Sequence, residues 1–211
     1  MFSSWVPVEL TQMAHNTDSF FYVMLGVVTF FFVLVEALLV TFLIRYRRTR
    51  RNQVGAAVHG NTKMEIIWTL VPTVILVFLG AFCVPYVYAL QKPPAQDITI
   101  RVTGHEWYWD FEYPNGAHSR KLEVPAGTPV LFDITSADVI HGFYIPDVRL
   151  QQDASPGRIT QFWITIKPNM VGHVFDVLCD QFCGAGHSQM YATGKVVTLD
   201  EFQQWVASLK K

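Results

Sequence analysis

Two stretches of the chain are almost free of polar positions. The first runs from roughly 20 to 44, "FFYVMLGVVTFFFVLVEALLVTFLI", broken only by Glu36; the second runs from roughly 66 to 90. Each exceeds the roughly 20 residues that a helix rising about 1.5 Å per residue needs to cross a bilayer. A buried helix of a soluble protein can be as apolar but is seldom this long, so the pattern predicts two membrane-spanning helices. After "QKPPAQ", where Pro93 and Pro94 end the second helix, the texture changes. Short runs rich in β-branched and aromatic residues follow, in "DITIRVTGHEWYWDFEY", "KLEVPAGTPVLFDITSAD", "GRITQFWITIK", "GHVFDVLC" and "ATGKVVTL", punctuated by "PNG", "PAG", "SPG" and "KPN" turns. Strands at that spacing predict a β-sandwich or barrel. The last segment, "DEFQQWVASLKK", predicts a short helix with acids at its start and lysines at its end.

Charge orients this arrangement. The chain has 211 residues with 16 basic against 17 acidic, which offers no footprint for nucleic acid, but the basic residues are segregated. None precedes Arg45, and six fall between Arg45 and Lys63. By the positive-inside rule the loop at about 45–65 is cytoplasmic, and both the N-terminal segment and everything past the second span lie on the opposite side. Residues 1–18 have no basic n-region and do not read as a cleavable signal peptide. The expected organisation is therefore an extracytoplasmic segment 1–18, a helical hairpin 19–90 and an extracytoplasmic β domain 91–211.

Chemistry concentrates in "CDQFCGAGHSQM", residues 179–190. Cys179 and Cys183 are three residues apart in the spacer sense, His187 follows, and Met190 closes the run. Thiolate and thioether are soft donors that suit copper, whereas zinc sites rarely recruit methionine. A disulfide between the two cysteines is the plainer reading for an extracytoplasmic domain, yet it explains neither His187 nor Met190. Cys83, inside the second span, reads as an inert thiol, and His15, His59, His118 and His173 as surface or hydrogen-bonded residues. His141, in "DVIHGFYIP", is different, because blue-copper domains also pair one upstream histidine with a Cys-His-Met loop. Two thiolates at this spacing can bridge two copper ions.

With these residues in view, the chain resembles subunit II of the haem-copper respiratory oxidases. The likeness is carried by the two spans, "HGNTKMEIIWTLVP", "GHEWYWDFEY", "DVIHGFYIPDVRLQQDASPGR" and the C-x3-C-x3-H-x2-M loop. It implies a cupredoxin-like β domain in which His141 and His187 each bind one copper of a dinuclear CuA centre. Cys179 and Cys183 would bridge both metals, with Met190 and the main-chain carbonyl of Gln181 as weak ligands. Phe143, Tyr144 and Phe182 would shield the centre from water.

The resemblance further implies electron transfer from cytochrome c, with Trp107 as the residue that receives electrons, towards haems and CuB in a partner subunit I. There O2 would be reduced to water with proton translocation. Trp107 and Trp109 are expected on one face of a strand and Tyr108 on the other. The β region carries 13 acidic against 10 basic residues after Leu90, a mild negative balance suited to a basic donor. Glu65 matches the family's proton-channel mouth, and Glu36 is expected to meet subunit I. Many members have glutamate where this chain has Gln181, and an amide is a poor magnesium ligand, so the family's interfacial magnesium site is not expected here. Gly142 and Gln181 resemble the B-type branch. No C-x-x-C-H occurs, so the donor is expected to be a separate protein. The implied location is the bacterial cytoplasmic membrane. Two other functions fit the architecture: a copper-free structural subunit of a quinol oxidase, which the retained ligand side chains argue against, and a membrane-anchored copper carrier, for which six ligands and Trp107 are excessive.

Overall fold

The computed structural model describes residues 6–49, 54–95 and 98–209. Arg50 and Arg51 of the basic loop, and Lys210 and Lys211 of the terminal segment, lie outside the described residues. The chain divides into two units, Phe20–Leu90 and a second that gathers Met1–Ser19 with Gln91–Lys211.

The membrane unit is formed by α1 (Gln12–Arg45) and α2 (Thr62–Leu90), both long and apolar enough to cross a bilayer. Each helix begins several residues before its apolar stretch because a polar side chain caps it. The Thr11 hydroxyl accepts the Ala14 N–H at 3.0 Å, and the Asn61 side-chain oxygen accepts the N–H groups of Lys63 and Met64 at 3.1 and 3.3 Å. Hydropathy does not register these opening turns. Pro72 and Pro85 lie inside α2.

The second unit is a sandwich of two five-stranded sheets. One joins β1 (Ile98–His105), β2 (Tyr108–Glu112), β3 (His118–Ser119), β5 (Pro129–Ser136) and β8 (Thr160–Thr165) in the order β3-β2-β1-β5-β8. The other joins β4 (Leu122–Pro125), β6 (His141–Ile145), β7 (Leu150–Ala154), β9 (Val174–Cys179) and β10 (Tyr191–Val197) in the order β4-β10-β9-β6-β7. β1 runs parallel to β5, and β4 parallel to β10, while the other ladders are antiparallel. Inward residues of both sheets meet in one core. Its hub is Phe143 of β6, whose ring lies 5.2 to 6.4 Å from those of Trp109, Phe111, Phe132 and Phe162.

The segment before α1 belongs to this β unit. Leu10 is fully buried in its core, the Leu10 N–H donates to the Asp147 carbonyl, and the Lys167 N–H donates back to the Leu10 carbonyl. Arg149 fastens the same segment. Its guanidinium makes a two-pronged contact with the Asp18 carboxylate at 2.9 and 2.7 Å and also donates to the carbonyls of Pro7 and Val8.

At the end of the chain, α3 (Leu199–Ser208) opens with a capping box. Thr198 accepts the Glu201 N–H while Glu201 accepts the Thr198 N–H. Bonds from the backbone and hydroxyl of Thr198 hold the Glu201 carboxyl below its ordinary range.

Candidate metal centre

The ladder between β6 and β9 assembles the site. Phe143 pairs with Cys179 and Tyr144 with Leu178, so His141 at the start of β6 and Cys179 at the end of β9 reach the same end of the sheet. The loop after Cys179 is then tied down at both ends: the Asp180 N–H donates to the Gly142 carbonyl, and the Cys179 N–H to the Met190 carbonyl. His187 opens a 3-10 turn (His187–Gln189), and Met190 follows immediately before β10. The loop reverses at Gly184, whose φ of +107° is open to glycine and strained for other residues.

These constraints bring all six expected ligand groups together. The two cysteine sulfurs stand 3.7 Å apart as free thiols, not as a disulfide. His141 Nδ1 faces Cys179 Sγ at 4.0 Å, and His187 Nδ1 faces Cys183 Sγ at 3.6 Å. Met190 Sδ lies 3.9 Å from Cys183 Sγ, and the Gln181 carbonyl oxygen 3.2 Å from Cys179 Sγ. The donors thus fall into two groups, one about each sulfur. His141, Cys179 and Cys183 have ligand atoms close enough for one metal ion to touch all three. Burial, together with the neighbouring Cys179 thiol, pushes the Cys183 thiol up to about 12, so a metal must displace a firmly held proton to bind there.

A residue that motif spacing did not single out completes the site. His141 is fully buried, and its Nε2 lies 2.8 Å from Asp138 Oδ1. Asp138 also accepts the N–H groups of Glu106 and Val139, each at 2.6 Å. Burial alone would raise the Asp138 carboxyl, but these hydrogen bonds outweigh it and hold the group down at about 2. An ionised Asp138 fixes the proton of His141 on Nε2 and leaves the Nδ1 lone pair pointing at the sulfurs. The signal was an aspartate three residues before the histidine, a spacing too common to be read without the fold.

The aromatic segment departs from expectation. His105 pairs with Tyr108, so Glu106 and Trp107 form the two-residue loop of a hairpin, and Trp107 shares no strand face with Trp109. Trp107 is 39% exposed, donates its indole N–H to the Cys183 carbonyl at 3.0 Å, and lies over Gly184 and Gly186. A Cβ on Gly186 would overlap the Trp107 ring. Trp109 is buried with its ring edge-on to His141 at 5.9 Å. Tyr108 is stacked between His105 and Arg120. Phe143 is buried as a shield must be and Tyr144 half-buried, while Phe182 is 76% exposed. Its ring lies edge-on to that of His187 at 5.8 Å. Of the histidines outside the site, His15, His118 and His173 are paired with Glu9, Asp110 and Asp147. Glu65 belongs to the membrane unit, exposed in the first turn of α2.

Comparison with known proteins agrees with this architecture. Residues 6–85 match the transmembrane domain family of cytochrome C oxidase subunit II, and residues 117–197 match the family of its periplasmic domain. Cytochrome c oxidase subunit 2 of Cereibacter sphaeroides is 31% identical over 91% of this chain and 74% of its own length. The probable cytochrome c oxidase subunit 2 of Rickettsia bellii is 30% identical over 92% of this chain and 78% of its own. Among solved structures, the periplasmic domain of subunit II of the Bradyrhizobium japonicum cytochrome oxidase superposes with a TM-score of 0.52 at 29% identity. It covers 56% of this chain and 96% of that domain. The chain belongs to the cytochrome c oxidase subunit II family, as a membrane-anchored component of an oxidoreductase complex with its cupredoxin-like C-terminal domain on the periplasmic side.

Proposed function

We propose that the cluster at the end of β6 and β9 is a dinuclear CuA centre that takes electrons from cytochrome c and hands them to the haem-copper subunit. The observation that carries this reading is the division of four further donors around two sulfurs 3.7 Å apart, with one imidazole nitrogen turned to each. Soft sulfur and imidazole donors fit copper, and a single-metal site would leave part of this set unused. Two bound copper ions would supply one-electron redox chemistry, with one unpaired electron shared between them.

The protein's part is to hold and to connect. Cys179 and Cys183 would bridge, His141 and His187 would each take one metal, and Met190 and the Gln181 carbonyl would complete the set. Asp138 orients His141, and the sheet register fixes the rest, so little moves when charge changes. Trp107 joins the half-exposed surface to the ligand loop through one hydrogen bond to the Cys183 carbonyl, which suits a residue that receives electrons from a docked donor. Glu65 fits the mouth of a proton path on the cytoplasmic side, in keeping with a cytoplasmic loop at 45–65, extracytoplasmic residues 1–18 and an extracytoplasmic domain 91–211.

Electron paramagnetic resonance of the copper-loaded full chain in detergent tests the central claim. A seven-line pattern from one electron shared over two copper nuclei is expected, and a four-line mononuclear pattern would refute it.

A further inference from the structure

Two glycines stand in the ligand loop between Cys183 and His187, and they are glycine for different reasons. Gly184 has a φ of +107°, which strains most side chains whatever the space around it. Gly186 has φ −94° and ψ 8°, a turn conformation that residues with side chains also adopt. Its backbone therefore does not require glycine. Neither does its hydrogen bonding, since the Gly186 carbonyl that accepts the Gln189 N–H is common to every residue.

What requires glycine at 186 is Trp107. A Cβ there would overlap the indole, standing 2.6 Å from Cγ and 2.8 Å from Cε3, with Cδ2 nearer still. Carbon atoms that are not bonded rest about 3.5–4.0 Å apart, so the ring would have to withdraw by about 1 Å. The indole cannot do so and keep its place. Its Nε1–H donates to the Cys183 carbonyl at 3.0 Å, and a longer separation leaves hydrogen-bond range. The hairpin loop that carries Trp107 is fixed independently, because the Glu106 N–H donates to Asp138 Oδ2 at 2.6 Å. Gly184, whose own Cβ would stand 3.5 Å from the same ring, extends the seat without restricting it.

We infer that Gly186 positions Trp107 for electron entry. Its missing side chain lets the indole rest directly against the ligand loop while the residue stays 39% open to a docking donor. An electron crosses bonded and hydrogen-bonded atoms far more readily than a gap, so a ring pushed off the loop is still present but poorly connected. The inference rests on Trp107 as the entry residue, and it adds the group that sets how closely that residue meets the ligand loop.

The test uses the full chain in detergent as wild type, Gly186→Ala, Trp107→Ala and the double variant. In the copper-free chain the Trp107 indole N–H is identified by its absence from the nuclear magnetic resonance spectrum of Trp107→Phe. It is expected to exchange with solvent about tenfold faster in Gly186→Ala. In the copper-loaded chain, Gly186→Ala is expected to keep the shared-electron signal and to take electrons from cytochrome c about tenfold more slowly. With the ring gone, Trp107→Ala and the double variant should take up electrons at the same rate. Unchanged indole exchange in Gly186→Ala overturns the positioning and leaves the role of Trp107 standing. Faster exchange with unchanged uptake refutes the entry role itself, and the inference falls with it. A double variant without the copper signal kept by Trp107→Ala assigns Gly186 to the ligand loop instead and also overturns the inference. If Gly186→Ala alone loses that signal, its recovery in the double variant supports the clash with the indole.

Discussion

Gly142 and Asp180 compete for a single volume. The Gly142 carbonyl accepts the Asp180 N–H, and a Cβ added at Gly142 would overlap Asp180 Oδ1 and approach the Gln181 nitrogen to 3.0 Å. Any side chain at 142 must therefore displace the first residues of the ligand loop. Gly142→Ser is expected to destabilise the domain by about 1–3 kcal/mol, as overpacking does, and to broaden the copper signal. Gly142→Ser combined with Asp180→Ala should recover most of both losses in thermal melts and spectra. Equal losses in the single and double variants would refute the coupling.

In the proposed centre Asp138 would act on the metal through His141, without touching it. Asp138→Ala should leave the fold intact but weaken copper binding by about 10–100-fold, the usual effect of removing the partner of a ligating histidine. Titration against a copper-chelating competitor measures this. Asp138→Asn, which can still accept a bond at Oδ1, should fall between the two.

Trp107→Ala should keep the shared-electron copper signal and slow electron uptake from cytochrome c in stopped-flow measurements. The contact it removes, indole N–H to the Cys183 carbonyl, lies outside the proposed ligand set. Unchanged uptake kinetics would reject the role given to Trp107.

Arg149 is the one residue other than glycine with positive φ among those described, at 60°, and its side chain forms a largely buried pair with Asp18. Arg149→Met should cost about 3–5 kcal/mol, because it strands a buried carboxylate. Leu10→Ala should cost about 2–5 kcal/mol through loss of core packing. Both are read from denaturant unfolding of the β domain in the full chain. Near-neutral values would mean that the N-terminal segment does not stabilise the domain.

The Glu201 cap gives a pH dependence of known sign. Its carboxyl is lowered in the folded state from an ordinary value of 4.5, so its stabilising effect is complete above that pH and fades as the pH falls through the lowered value. Amide exchange in α3 should accelerate in this acidic window, and Glu201→Gln should remove that acceleration.

What the sequence could reveal depended on how local each feature is. The spans, the strand-rich domain, Cys179, Cys183, His187 and Met190 are all short-range signals of hydropathy or spacing. β7, "LQQDA", carries no alternating pattern because it is an edge strand, and only its ladder with β6 makes it a strand. Alternation alone puts Trp107 on a strand face because it cannot show where a hairpin turns. Asp138 and the Gly142–Asp180 exclusion depend on segments brought together by the sheet. Phe182 reads as a shield by its chemistry, and only solvent exposure shows that nothing in this chain covers it.

The pairing of Phe143 with Cys179 has a consequence for how the protein can be monitored. A strand that slips by one residue turns every side chain to the opposite face, which would carry His141 away from the sulfurs while leaving most of the secondary structure in place. Copper colour is then a gauge of correct strand alignment, able to separate native molecules from misaligned ones that circular dichroism would count as folded.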